Sequence, residues 1–201
     1  MKVRVGIAML SLCMLAGVVG AQEKQGGQQT PPAISQGDME AMMKAGTPGE
    51  NHKHLGRMAG NWNTSMKSWM APGTPPMESK GTMQGEWILG GRYLQSTYKG
   101  DFMGQPFEGR STEAYDNVTQ QFQSTWIDSL STAIMVSTGT CDAGCKTMTM
   151  TGDMPDPTTG KTMTVKSVTT FPDANSWKME MYGQGPDGTS FKMMELLATK
   201  K

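Results

Sequence analysis

From residue 61 to the C-terminus, apolar side chains alternate with polar ones at a period of two. Trp62, Met66 and Met70 fall on one side of a first run, and Met83, Trp87 and Leu89 on one side of a second. Phe122, Trp126 and Asp128 align in the same way, as do Met148 with Met150 and Trp177 with Met179 and Met181. The positions between them are mostly Thr, Lys, Gln, Ser and Glu. This pattern predicts strands with one buried face. About ten are expected, near 61–70, 80–89, 92–99, 106–115, 120–128, 132–138, 146–151, 162–171, 175–183 and 190–198. Hairpin turns are expected at Gly90-Gly91, Asp116-Asn117, Asp142-Ala143-Gly144, Pro172 to Asn175 and Pro186-Asp187-Gly188. No apolar helical segment separates the strands, so parallel crossovers are excluded and the sheet is expected to be antiparallel. So many hairpin-linked strands leave exposed edges unless the sheet closes. An all-β, up-and-down barrel is therefore the favoured architecture, ahead of a sandwich.

Ahead of the strands the period changes. A short helix is expected from Asp38 to Ala45, with Asp38 as N-cap and Gly46 past its end. A second is expected to start at Thr47-Pro48-Gly49-Glu50, which reads as a capping box with Pro at the first helical position. Leu55 and Met58 share its apolar face, and Gly60 stops it. Residues 22–37 are polar and rich in Gln, Gly and Pro, and read as a flexible leader. The first 21 residues have the form of a cleavable signal peptide. Lys2 and Arg4 precede an apolar stretch from Val5 to Val19, and Val19-Gly20-Ala21 supplies small residues for cleavage before Gln22. The expected division is thus signal peptide 1–21, leader 22–37, helical lead-in 38–60 and barrel 61–201, in a periplasmic or secreted protein.

Charge and composition narrow the function classes. The 18 basic and 18 acidic groups cancel, which argues against a nucleic-acid binder. A mean hydropathy of −0.45 excludes a polytopic helical membrane protein. Methionine is the unusual residue: of 21 in the chain, 18 lie after Ala21, against 14 Leu, Ile and Val together in the same stretch. Barrel cores favour stiff β-branched side chains, so Met has replaced them on a large scale. Three readings stay open: a pliable packed core, a plastic apolar pocket that re-packs around ligands, or thioethers that bind Cu(I) or quench oxidants. The dispersal of the methionines weighs against the last.

Several runs resemble a known family: His52 to Trp62 (HKHLGRMAGNW), Leu89-Gly90-Gly91-Arg92-Tyr93, Phe107-Glu108-Gly109-Arg110, Ala114-Tyr115-Asp116, Trp126-Ile127-Asp128-Ser129 and Asp156 to Lys161 (DPTTGK). From Pro48 to Lys201 the chain resembles the bacterial domain-of-unknown-function family 1579. The helix-then-Gly-x-Trp entrance is similar to that of calycin, or lipocalin-like, barrels. The resemblance implies a calycin-type barrel with a helical lead-in, and no settled activity. Some barrels of that superfamily hold haem on a late histidine. Here the only histidines, His52 and His54, precede the first strand, so no haem or other cofactor is expected.

Cys141 and Cys145 flank an Asp-Ala-Gly turn and are expected to form a disulfide in an oxidising compartment, with a redox-active pair as the alternative. No metal site is expected, because no second Cys or His pair lies near. Gly160-Lys161-Thr162 mimics the end of a phosphate loop but lacks its first glycine and its helix, and reads as a turn. No Ser/His/Asp set is available, so no catalytic residue is assigned. Asp128, joined by Glu113 and Tyr115, is the one place where an acid–base enzyme, an isomerase or hydrolase, can be imagined. The favoured reading is a non-enzymatic binder of a small apolar or amphipathic molecule. Its pocket is expected to be lined by Trp62, Trp87, Trp126, Met148, Met179 and Met181, with Tyr115 and Asp128 orienting the ligand.

Overall fold

Ten antiparallel strands close into an up-and-down barrel in a computed structural model that describes residues 34–157, 159–185 and 188–201. The expected signal peptide and most of the leader lie outside the described residues. The strands are β1 (Gly60–Ser68), β2 (Met77–Ile88), β3 (Tyr93–Phe102), β4 (Gln105–Asp116), β5 (Gln121–Asp128), β6 (Met135–Cys141), β7 (Thr147–Asp156), β8 (Lys161–Thr170), β9 (Ser176–Gln184) and β10 (Ser190–Lys200). Each pairs with its neighbours in sequence, and β1 closes the ring on β10 from Trp62 opposite Lys200 to Ser68 opposite Met194. Closure leaves no unpaired edge, which answers the aggregation hazard of so many hairpins.

Two helices precede the barrel. α1 (Gln36–Ala45) starts two residues earlier than the sequence suggests. Its cap is Ser35, not Asp38: the Asp38 amide donates to Ser35 Oγ, and that hydroxyl donates back to the Asp38 carboxylate at 2.7 Å. The expected capping box at Thr47 does not form. The Thr47 hydroxyl instead donates to the Met43 carbonyl, and α2 (Glu50–Leu55) begins after Gly49. A single 3-10 turn, Gly56–Met58, then delivers the chain into β1.

Alternation places the core well but misjudges strand ends. Met70 and Leu89, expected on inner faces, are exposed: β1 stops at Ser68, and Leu89 sits in a turn with φ of 49°. The β3–β4 connection is tighter than expected, because Met103 and Gly104 both take positive φ and form a two-residue hairpin turn. Met103 carries no turn signal; Asp101 supplies it by accepting from the Gly104 amide at 2.8 Å. β7 runs five residues past its expected end and through Pro155. Its last pair with β6 is Asp153 opposite Val136, so Pro155 lies where that neighbour has ended and an amide is dispensable.

Candidate functional site

The two ends of the barrel are built differently. At one end lie the β2–β3, β4–β5, β6–β7 and β8–β9 turns, and α2 with its 3-10 turn packs across them. Leu55 and Met58 enter the core with Trp62, Leu94, Phe122, Met148, Phe171 and Trp177. The Trp62 indole donates to the Met58 carbonyl at 2.9 Å and meets Trp177 edge-on. Arg57 hydrogen-bonds the carbonyls of Gly144 and Cys145 and stacks over Phe171. Cys141 and Cys145 themselves lie at disulfide distance, with Cα atoms 4.9 Å apart. The bridge therefore stiffens the hairpin on which Arg57 anchors the plug.

His52 pins α2 to the wall. Its Nδ1 accepts from the Gly49 amide at 3.0 Å, and the rest of the ring faces the Tyr115 backbone. Both contacts suit a neutral imidazole, and burial holds its pKa below the ordinary histidine value. Tyr115 packs edge-on against both His52 and Phe122.

Deeper in the lumen lies Glu113, opposite Leu94 on β3 and Ser124 on β5. Its carboxyl is buried on the inner face of β4. Desolvation pushes its pKa up to about 7 against the opposing effect of hydrogen bonds from Ser124 and Ser111. Sequence reasoning noted Glu113 only as a helper to Asp128. Its place on the inner column of β4 was legible from the period of two.

Among the described residues no helix covers the opposite end. Its inner residues, including Phe107, Trp126, Met135, Met154, Met163, Met181 and Met193, are half-buried instead of sealed. A cavity of about 200 Å³ opens there between β1, β2 and the β3–β4 turn, lined by Met66, Met77, Ser79 and Phe102 among others. Beside it three side-chain hydroxyls lack hydrogen-bond partners among the described residues: Thr64, Ser79 and Tyr98. Thr64 is 4% exposed and Tyr98 2%. Their convergence follows from register. Thr64 stands opposite Gly81, Ser79 is the next inner residue along β2, and Tyr98 lays its ring over Gly81 and Gly100. A side chain at Gly81 would meet the Tyr98 oxygen at 2.7 Å, so glycine there makes room for the phenol. Nothing in the sequence pattern marks these hydroxyls, because each is an ordinary polar residue until the strands are registered.

The residues expected to line a pocket divide between the two ends. Trp62, Met148 and Tyr115 belong to the plugged end, and Trp87, itself partly exposed, packs against Gly56 of the 3-10 turn. Met179 packs against the same core. Trp126, Asp128 and Met181 lie towards the open end. The Trp126 indole donates to Asp128 Oδ2 at 2.8 Å, and the Leu130 amide donates to Oδ1 at 2.9 Å. Asp128 thus ties a rim tryptophan to the start of the next turn. Among the described residues no group of three or more His, Cys, Asp or Glu side chains is placed to hold a metal ion.

Among solved structures the chain is similar to a redesigned beta barrel, at 16% identity and a TM-score of 0.39, over 74% of this chain and 95% of that one. A comparison with curated proteins finds no match. The family model described as Protein of unknown function (DUF1579) matches residues 47–200, from just before α2 to the end of β10. With its match spanning the helical plug and every strand, the chain belongs to the DUF1579 family.

Proposed function

We propose that this barrel is an extracytoplasmic binder of a small amphipathic molecule, admitted through the open end. The observation that carries the reading is the group of three partnerless hydroxyls, Thr64, Ser79 and Tyr98, of which Ser79 lines the mouth cavity. A buried polar atom without a partner costs about 1–3 kcal/mol, and natural cores avoid leaving several together. A ligand carbonyl, carboxylate or hydroxyl inserted among them would satisfy all three. Met66, Met77 and Phe102 would cover the apolar remainder, and methionine would let that wall re-pack around ligands of different shape. The signal-like N-terminus and the Cys141–Cys145 pair support an extracytoplasmic location. No described helix is long and apolar enough to cross a membrane.

Titration with fatty acids, retinoids and tetrapyrroles, read by Trp fluorescence, tests the reading. At least one class should give a saturable change, with Trp126 on the rim as the natural reporter. Tyr98→Phe should weaken that binding by about tenfold, the loss of one hydrogen bond in a dry site. A flat response across the panel, or undiminished binding by Tyr98→Phe, overturns the proposal.

A further inference from the structure

Across the lumen from the hydroxyls, β7 to β10 bring together methionines that the sequence scatters over forty residues. Gly183 is the focus. A side chain built there would collide with Met193 Sδ and meet Met163 Sδ at 3.2 Å, so both sulfurs lean over the same bare patch of backbone. Met154 stands directly opposite Met163 across β7 and β8. Met193 reaches the inner face through an irregularity in the β9–β10 register, which shifts between Lys192 and Met194. Met194 then pairs with Met181. Bulges of this kind re-aim side chains and are over-represented at barrel rims. These methionines are half-buried at the unplugged end, so the sulfurs are sheltered but reachable.

We propose that Met163, Met193 and Met154 form a thioether site for Cu(I). Thioethers are soft, uncharged donors that select Cu(I) over Zn²⁺ or hard cations. Among the described residues the two cysteines lie at disulfide distance at the far end, where the histidines also sit, so none of these thiols or imidazoles competes at the mouth. A packing role alone would be served by Leu or Val. It gives no reason for a glycine and a register shift that turn two sulfurs towards one point.

The test uses Cu(I) alone, titrated anaerobically into the whole mature chain against a chromogenic Cu(I) chelator. One equivalent should bind. Met163→Leu/Met193→Leu, which conserves volume, should bind at least about tenfold more weakly, as disturbance of a metal site normally does. α1 carries the rival set, Met39, Met42 and Met43, exposed on one helix face. Met39→Leu/Met42→Leu/Met43→Leu should leave affinity unchanged. Independently of any variant's folding, redox-inert Ag(I) added to protein labelled at the methionine methyls should shift Met163 and Met193. Failure to bind Cu(I), unchanged affinity in the double variant, loss in the α1 variant, or Ag(I) shifts confined to other methionines would each overturn the proposal.

Discussion

The plugged and open ends of this barrel share one sheet and one alternating pattern, yet they resolve their polar groups in opposite ways. At the plug most polar groups are paired, the buried Trp177 indole N–H being the exception among the described residues. Trp62 bonds Met58, His52 bonds Gly49 and faces the Tyr115 backbone, and Arg57 bonds the Cys145 hairpin. At the open end three hydroxyls go without partners, and the inner methionines and aromatics stay half-buried. The partnerless donor at the plug is a single indole, whereas three hydroxyls on the adjacent strands β1, β2 and β3 lie beside the mouth. On the function proposed above, stability is concentrated at the plug and ligand binding at the mouth.

The largest test of that division is truncation at the plug. Trp62→Ala removes a buried indole, its hydrogen bond and its contact with Trp177. Loss of about 3–5 kcal/mol in urea unfolding is expected. Met163→Ala at the half-buried mouth should cost clearly less. Equal losses at the two sites would erase the distinction.

Glu113, one inner position from Tyr115 on β4 and opposite Leu94, gives the plugged half a pH dependence of its own. Its folded pKa of about 7 lies above the ordinary value of 4.5, so the folded protein holds a proton that the unfolded chain releases between those values. Its contribution is therefore greatest below about pH 4.5, declines as pH rises to 7 and is constant above. The span corresponds to a loss on the order of 3 kcal/mol. His52 at the plug has the opposite slope. Its pKa is lowered, so its contribution is complete above the ordinary histidine value and is lost as pH falls from there through the lowered folded value. Glu113→Gln should be more stable than the parent at pH 8 and similar at pH 4, by urea unfolding at each pH. An unchanged difference across that range would mean that the carboxyl is not desolvated.

Much of this architecture is legible in the sequence, because alternation at a period of two runs along the strands and breaks in β10 at the register shift before Met194. Antiparallel pairing follows from the absence of crossover helices between strands, and closure from the edges that so many hairpins would otherwise expose. What pattern could not convey is register. Thr64, Ser79 and Tyr98 are distant in sequence, and only the pairing of Thr64 with Gly81 makes them one cluster. Met163 and Met193 are thirty positions apart and meet over Gly183 for the same reason. The expected pocket took the largest apolar residues on the inner faces, which are also the residues a helical plug needs. Hence Trp62, Met148 and Tyr115 pack under or against α2. Ser35 was missed as a cap because Asp38 offers the same chemistry three residues later.

A smaller effect is expected from the Cys141–Cys145 bridge, which closes so short a loop that chain entropy assigns it about 2 kcal/mol. Because Arg57 rests on that hairpin, Cys141→Ala/Cys145→Ala should speed hydrogen exchange in α2 more than at the mouth strands. Uniform acceleration would show that the bridge acts on the whole barrel and not through the plug.

The smallest expected effect has the opposite sign. In the unliganded protein the Tyr98 hydroxyl is buried with nothing to bond, so Tyr98→Phe removes a desolvated polar atom while keeping the ring over Gly81 and Gly100. Urea unfolding should show it more stable than the parent by about 1 kcal/mol. At the plug the same logic predicts a loss, because Trp62→Phe deletes a bond that is made. Residues that weaken a fold are kept where another partner uses them, so a gain at Tyr98 beside a loss at Trp62 would mark the open end as a site. A loss at both would mean that water or a neighbouring group already satisfies the phenol, and the two ends would then differ in packing alone.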